Sequence, residues 1–192
     1  MIKYLFILLL FLPILSLADT FGNTTGDGGG EENIDESRME LNAYTTTSAG
    51  TCTKAYFYGH DAWSGADTLK LVIYNDNGDT PVGGSLVGAS DTIFVTTSVA
   101  GWWEADCNIE LAASTKYWIG VWNANESSNS AYSFPSGSTP RFYGADATPL
   151  DDPCAAAGYA ASSFKWGMYF DFTPSAGGET STRRRKSILG GN

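Results

Sequence analysis

The chain reads as all-β, an antiparallel two-sheet β-sandwich with flexible tails at both ends. Three observations predict it. From Ser37 to Pro174, short runs of strand-forming residues alternate with period two, clusters of Gly, Asx and Pro break them repeatedly, and no window carries helical periodicity. The sequence shows no repeat of solenoid or propeller period.

Ahead of the sandwich, MIKYLFILLLFLPILSLA has one lysine, then a short apolar run interrupted by Pro13, then Ser16 and Ala18 in the small-residue pattern of a signal-peptidase site. Residues 1–18 read as a secretory signal cleaved after Ala18, which predicts a secreted or cell-surface protein with no transmembrane segment after cleavage. An uncleaved anchor is the competing reading, and no cysteine follows the run to carry a lipid. Residues 19–36 are Gly-rich and acidic and read as a flexible lead-in. Residues 37–174 form the sandwich domain, and residues 175–192 a flexible tail holding the basic cluster Arg183, Arg184, Arg185 and Lys186.

The formal charge of −10 is unevenly spread. All 21 acids lie beyond Ala18, and outside Lys3 and the tail cluster the bases are only Arg38, Lys54, Lys70, Lys116, Arg141 and Lys165. Such a body repels nucleic acid and anionic membrane, and suits neutral glycans or divalent cations. Three cysteines in an exported chain predict one disulfide among Cys52, Cys107 and Cys154, with the pairing open. Their spacing fits no zinc motif.

The strands follow in order. Arg38–Thr46 turns Met39, Leu41 and Ala43 inward, and Cys52–Gly59 sets Ala55 and Phe57 against Lys54, Tyr56 and Tyr58. In Thr68–Tyr74, Leu69, Leu71 and Ile73 alternate with Thr68, Lys70 and Val72. The Asx/Gly run after it, Asn75 to Asp79, reads as a tight or bulged turn; it superficially resembles a calcium loop but lacks the distant glutamate. Ser85–Ala89, Thr92–Val99, Gly101–Ile109 and Thr115–Asn123 are further strands. Residues 124–163 are looser, with short strands near Ala131–Phe134 and Arg141–Tyr143. Phe164–Thr173 closes the domain with Phe164, Trp166, Met168, Phe170 and Phe172 inward.

Gly101 to Asn123 holds four of the six tryptophans. Trp103, Ala105, Cys107 and Ile109 share one face of the first run, and Trp102, Glu104, Asp106 and Asn108 the other. In the second run both faces are apolar, so either chain covers both or the outer one binds a ligand. If Glu110 pairs with Ser114, a hairpin sets Trp102 opposite Trp122, Glu104 opposite Gly120 and Asp106 opposite Trp118. Indoles stack on the C–H faces of sugars while carboxylates accept hydroxyl protons. Trp102, Trp118, Trp122, Glu104 and Asp106 are therefore the candidate ligand-binding residues. The competing reading covers Trp118 and Trp122 with residues 124–163.

The middle of the chain resembles jelly-roll β-sandwich modules of secreted bacterial and phage-associated proteins, carbohydrate-binding modules among them. The likeness rests on Ile73-Tyr74, Pro81 to Leu86, Gly101-Trp102 and Tyr117 to Val121, and covers about a third of the chain. It implies a jelly-roll topology and non-catalytic glycan binding. It carries over no binding residue, because the matched positions are turn and core.

Catalysis has little support. The single histidine, His60, sits in a strand connection, and Glu104 with Asp106 is the acid pair a glycosidase or lyase would use. Trp63, Tyr132, Tyr143 and Tyr159 are second-choice contacts. Asp146, Asp151 and Asp152 read as turn caps, with a structural calcium the alternative. The basic tail reads as solvated, with docking on an anionic surface or on the acidic body of another copy as alternatives. Asn23-Thr24-Thr25 and Asn125-Glu126-Ser127 fit the N-glycosylation sequon of eukaryotic secretion. The expectation is an exported, non-enzymatic binding or adhesion module for surface carbohydrate, without cofactor. A self-associating structural subunit of a cell surface, filament or virion is the alternative.

Overall fold

The computed structural model of the protein describes residues 19–26, 29–34, 39–59, 67–95, 100–123, 130–144, 151–155 and 160–175. The strands in chain order are β1 (Asp19–Asn23), β2 (Gly29–Ile34), β3 (Met39–Thr45), β4 (Gly50–Gly59), β5 (Asp67–Asn75), β6 (Leu86–Ala89), β7 (Ile93–Val95), β8 (Gly101–Leu111), β9 (Lys116–Asn123), β10 (Ser130–Gly144), β11 (Ala160–Phe164) and β12 (Met168–Pro174). No helix occurs among the described residues.

All pairings are antiparallel and build two sheets. The first runs β1-β12-β4-β8. The second runs β11-β10-β3-β9-β5, with β6 and β7 sharing the far edge of β5. β10 joins the two, pairing β2 through its first half, touching the end of β4 at Tyr132↔Gly59, and pairing β3 through its last residues. The alternation that predicts the strands is also what fills the space between the sheets. Ala55 and Phe57 of β4 and Met168, Phe170 and Phe172 of β12 meet Leu69, Leu71 and Ile73 of β5 and Ile119 and Val121 of β9. Each of these side chains other than that of Ala55 contributes about 1.5–3 kcal/mol when taken out of water.

The second sheet is apolar on both faces. Its outer face buries Met39, Leu41, Val72, Tyr74, Trp118 and Cys154 as a separate cluster. Residues 151–155 help to cover it: the Cys154 N–H donates to the Gly84 carbonyl (2.9 Å), the Gly83 N–H to the Cys154 carbonyl (2.8 Å), and the Leu86 N–H to Asp152 Oδ1 (3.1 Å). Met39 and Leu41 are thus buried, but against this outer cluster and not between the sheets.

Four expectations are corrected. β8 and β9 do not form a hairpin; β8 pairs β4 in the first sheet and β9 lies between β3 and β5 in the second. Apolar side chains on both faces of β9 favour a central, covered strand over an edge with an open face. Next, residues 19–36 hold two strands rather than only a flexible lead-in. Phe21, 5% exposed, inserts between the sheets edge-on to Tyr44 and Tyr117 with centroids 6.2 Å away. That burial anchors a segment otherwise built from small residues.

The closing strand is also broken in two at Lys165–Gly167. The peptide groups of Trp166 there bond side chains instead of a neighbouring strand: its N–H donates to Asn42 Oδ1 (2.9 Å) and its carbonyl accepts from Asn23 Nδ2 (2.9 Å). Lastly, none of the three cysteines is in a disulfide. Cys52 and Cys107 face the core between the sheets, whereas Cys154 packs on the far side of the second sheet. Burial pushes the Cys52 thiol up to about 12, with Cys107 adding to it, and burial ahead of Asp106 does the same for Cys107.

Candidate functional site

The outer face of the first sheet is built from residues that alternate with the core. β4 sends Lys54, Tyr56 and Tyr58 outward, β8 sends Trp102, Glu104 and Asp106, and β12 sends Tyr169 and Asp171. Register lines them up in rows. Trp102 stands opposite Tyr58; Glu104 is opposite Tyr56, which is opposite Tyr169; Asp106 is opposite Lys54, which is opposite Asp171.

The indole of Trp102 departs from this simple grid. Tyr169 is two strands away, and adjacent strands are about 4.8 Å apart. The two ring centroids nevertheless lie 4.9 Å apart at 74°, and Tyr58 meets the same indole at 5.2 Å and 73°. The side chain therefore reclines across β4, steep to both tyrosine rings, and remains 37% exposed. Tyr56 and Tyr169 stack beside it, centroids 4.5 Å apart and 12° from parallel. On the other side Gly26 closes on Tyr58, where a Cβ would come within 2.7 Å of the ring.

Polar groups border the aromatic array. Lys54 Nζ donates to Glu104 Oε1 (2.5 Å) and lies 4.0 Å from Asp106 Oδ1. The Tyr56 hydroxyl donates to Asp171 Oδ2 (2.9 Å). Burial first, then that bond, raises the Tyr56 phenol above its ordinary value; burial, Asp171 and Glu104 raise that of Tyr169. Bonding to Glu104 raises the Lys54 ammonium. Exposed ion pairs of this kind are screened by solvent and hold their partners weakly, so the carboxylates of Glu104 and Asp106 keep lone pairs open to solvent. The face thus offers an aromatic plane, hydroxyl and ammonium donors, and three carboxylate acceptors against one cation.

Comparison with known proteins gives a structural similarity of low score. No family model matches the chain, and no curated protein matches it. A chain of the solved structure of the infectious bursal disease virus Gx strain aligns over 83% of this chain at 10% identity, with a TM-score of 0.34. This chain spans less than half of that one, 43% of its length.

Of the five predicted ligand-binding residues, the structure brings Trp102, Glu104 and Asp106 together and separates them from the other two. Trp118 is fully buried on the second sheet, opposite Ala43 and Tyr74. Its Nε1 donates to Asp76 Oδ1 (2.7 Å), and Lys116 Nζ lies 5.3 Å over its ring. Trp122 is half-buried between Met39 and Lys70. The flat spot expected at Gly120 is filled, since Leu41 and Val72 occupy the space a Cβ would need.

The Asx loop after β5 behaves as a turn. Asp76 Oδ2 accepts from the Asp79 N–H (3.2 Å), Asn77 Nδ2 donates to the Val82 carbonyl (2.9 Å), and Lys116 is the cation that Asp76 and Asp79 share. Burial pulls the Asp76 carboxyl up, yet the Trp118 indole, the Asp79 N–H and Lys116 together hold it below its ordinary value. Asp152 accepts from Leu86, while His60, Trp63, Asp146 and Tyr159 lie outside the described residues, as do the side chains of Tyr132 and Tyr143. A cavity of about 190 Å³ between Thr45–Thr47, Asp19 and Phe172 is at the opposite end of the sandwich, and smaller than ligand pockets usually are.

Sequence reasoning missed Tyr56, Tyr58, Tyr169, Asp171 and Lys54. The signal was present: each occupies the alternate, outward position of a strand whose inward residues were correctly assigned.

Proposed function

We propose that this protein is an exported, non-enzymatic binding module that holds neutral surface carbohydrate on the outer face of its first sheet. The reclining indole of Trp102, framed by Tyr58 and Tyr169, carries the reading. A pyranose ring presents C–H groups to such a surface, and its hydroxyls reach Glu104, Asp106, Asp171 and the Lys54 ammonium. Three carboxylates against one cation disfavour acidic polysaccharides. The chemistry needs no cofactor. The test is retention of neutral polysaccharides in affinity electrophoresis, comparing wild type with Trp102→Ala and Trp122→Ala. Retention lost in the first variant and kept in the second is expected; no retention by wild type sinks the reading.

One observation favours a second reading, a self-assembling structural subunit. β1 is an edge strand whose partner among the described residues is β12, and an open edge accepts a strand from another copy. Sedimentation across a range of protein concentration tests it. A monomer at every concentration rejects it.

A further inference from the structure

We propose that the basic segment Arg183–Lys186 docks on the outer face of the first sheet of its own chain, over Trp102 and the carboxylates of Glu104, Asp106 and Asp171. Charge complementarity argues for this face. Its exposed carboxylates outnumber its one cation, Lys54, and the side chains of Glu104 and Asp106 are 54% and 77% exposed. The segment supplies four consecutive positive groups in a chain with only 11 bases. Guanidinium planes pair with carboxylates and also stack on aromatic rings, so a face combining Trp102, Tyr58 and Tyr169 with acids suits arginine in both respects.

The point of exit permits it. The chain leaves the first sheet at Pro174, which pairs with Gly50, and the Ser175 N–H bonds the Ala49 carbonyl (2.9 Å). Asp171 is three residues back along β12 from Pro174, and Tyr169 five, about 17 Å at strand rise. Arg183 is eight residue steps beyond Ser175, which span up to about 28 Å when extended. The reach exceeds the distance, with slack for a reversal. A tether this short holds the segment at an effective concentration of order millimolar, so docking within one chain outcompetes docking between copies in dilute solution.

The consequence, that the segment and a sugar exclude one another from this face, rests on the carbohydrate reading; the docking itself does not. Zero-length carbodiimide cross-linking of the full chain, prepared as an equal mixture of isotopically light and heavy copies, tests the docking. The Lys54–Glu104 link is the internal control. Lys186 should link to Glu104, Asp106 or Asp171 within copies of a single isotope. Yield should fall several-fold in about 1 M salt, where the screening length is about 3 Å, and in the Arg183→Ser/Arg184→Ser/Arg185→Ser variant.

Links from Lys186 spread equally over Asp76, Asp79 and Asp91, or no links from it at all, overturn the proposal. Mixed-isotope links that approach half of the total, the statistical limit for docking between copies in an equal mixture, also overturn it, making a second copy the occupant. The same triple variant should retain polysaccharide several-fold more strongly; unchanged retention alongside intact linking overturns the exclusion. If no version retains polysaccharide, the carbohydrate reading fails while the cross-links still decide the docking.

Discussion

Trp102 and Tyr169 stand on strands separated by β4, yet their rings meet edge to face at 4.9 Å. That contact and the one to Tyr58 are worth about 0.5–1.5 kcal/mol each. Trp102→Ala should therefore lower stability by about 1–3 kcal/mol in urea unfolding while leaving the protein folded, and should abolish polysaccharide retention. Retention unchanged in a folded Trp102→Ala protein contradicts the assigned face.

Trp118 should behave in the opposite way. It is fully buried and donates to the charged Asp76. Trp118→Ala opens a cavity and should cost about 3–5 kcal/mol. Trp118→Phe, losing chiefly a hydrogen bond to a carboxylate, should cost about 1.5–3 kcal/mol and leave retention per folded molecule unchanged. Urea midpoints with retention measured on the folded fraction check both.

Gly120 is where the second sheet has no room. A Cβ there would lie 2.8 Å from Leu41 Cγ and 3.1 Å from Val72 Cγ2, both held in the outer cluster. Gly120→Ala should destabilise by about 1–3 kcal/mol through overpacking. A melting temperature equal to wild type would show that the cluster yields freely.

The thiols predict an alkaline limit. Cys52 and Cys107 ionise near 9.0 when unfolded and are pushed up to about 12 when folded. Folding thus favours the neutral thiols: the contribution is fully present below pH 9 and is lost as pH rises towards 12. Thermal melts over that range should fall in midpoint, and less steeply for Cys52→Ala than for wild type. In native protein at neutral pH the Cys52 thiol, with no exposed surface, should resist iodoacetamide. Denaturation without reductant should release three reactive thiols, and only one would reveal a disulfide.

Alternation along each strand is a local property, and it was legible. Steric pleating forces successive side chains to opposite faces, so Ala55, Phe57, Leu69, Leu71, Ile73, Met168 and Phe170 could be assigned inward, and Trp102, Glu104 and Asp106 to one outward face, from residue order alone. The two apolar faces of Tyr117–Trp122 were legible as well, though not what covers them.

Pairing is non-local. Nothing in the order of β8 and β9 distinguishes a tight hairpin from a connection that carries the chain to the other sheet, because both use the same small-residue turn. The choice is made by apolar surface that must be buried on both faces of β9, which requires β3, β5 and residues 151–155 at once. The sequence by itself determined the all-β class, the alternation of the strands from β3 to β9 and the face on which Trp102 stands. Only the tertiary structure decided that Trp102 meets Tyr58 and Tyr169 rather than Trp122, since hydrogen-bond partners across a sheet are selected by the burial of the whole sandwich and not by the strand itself.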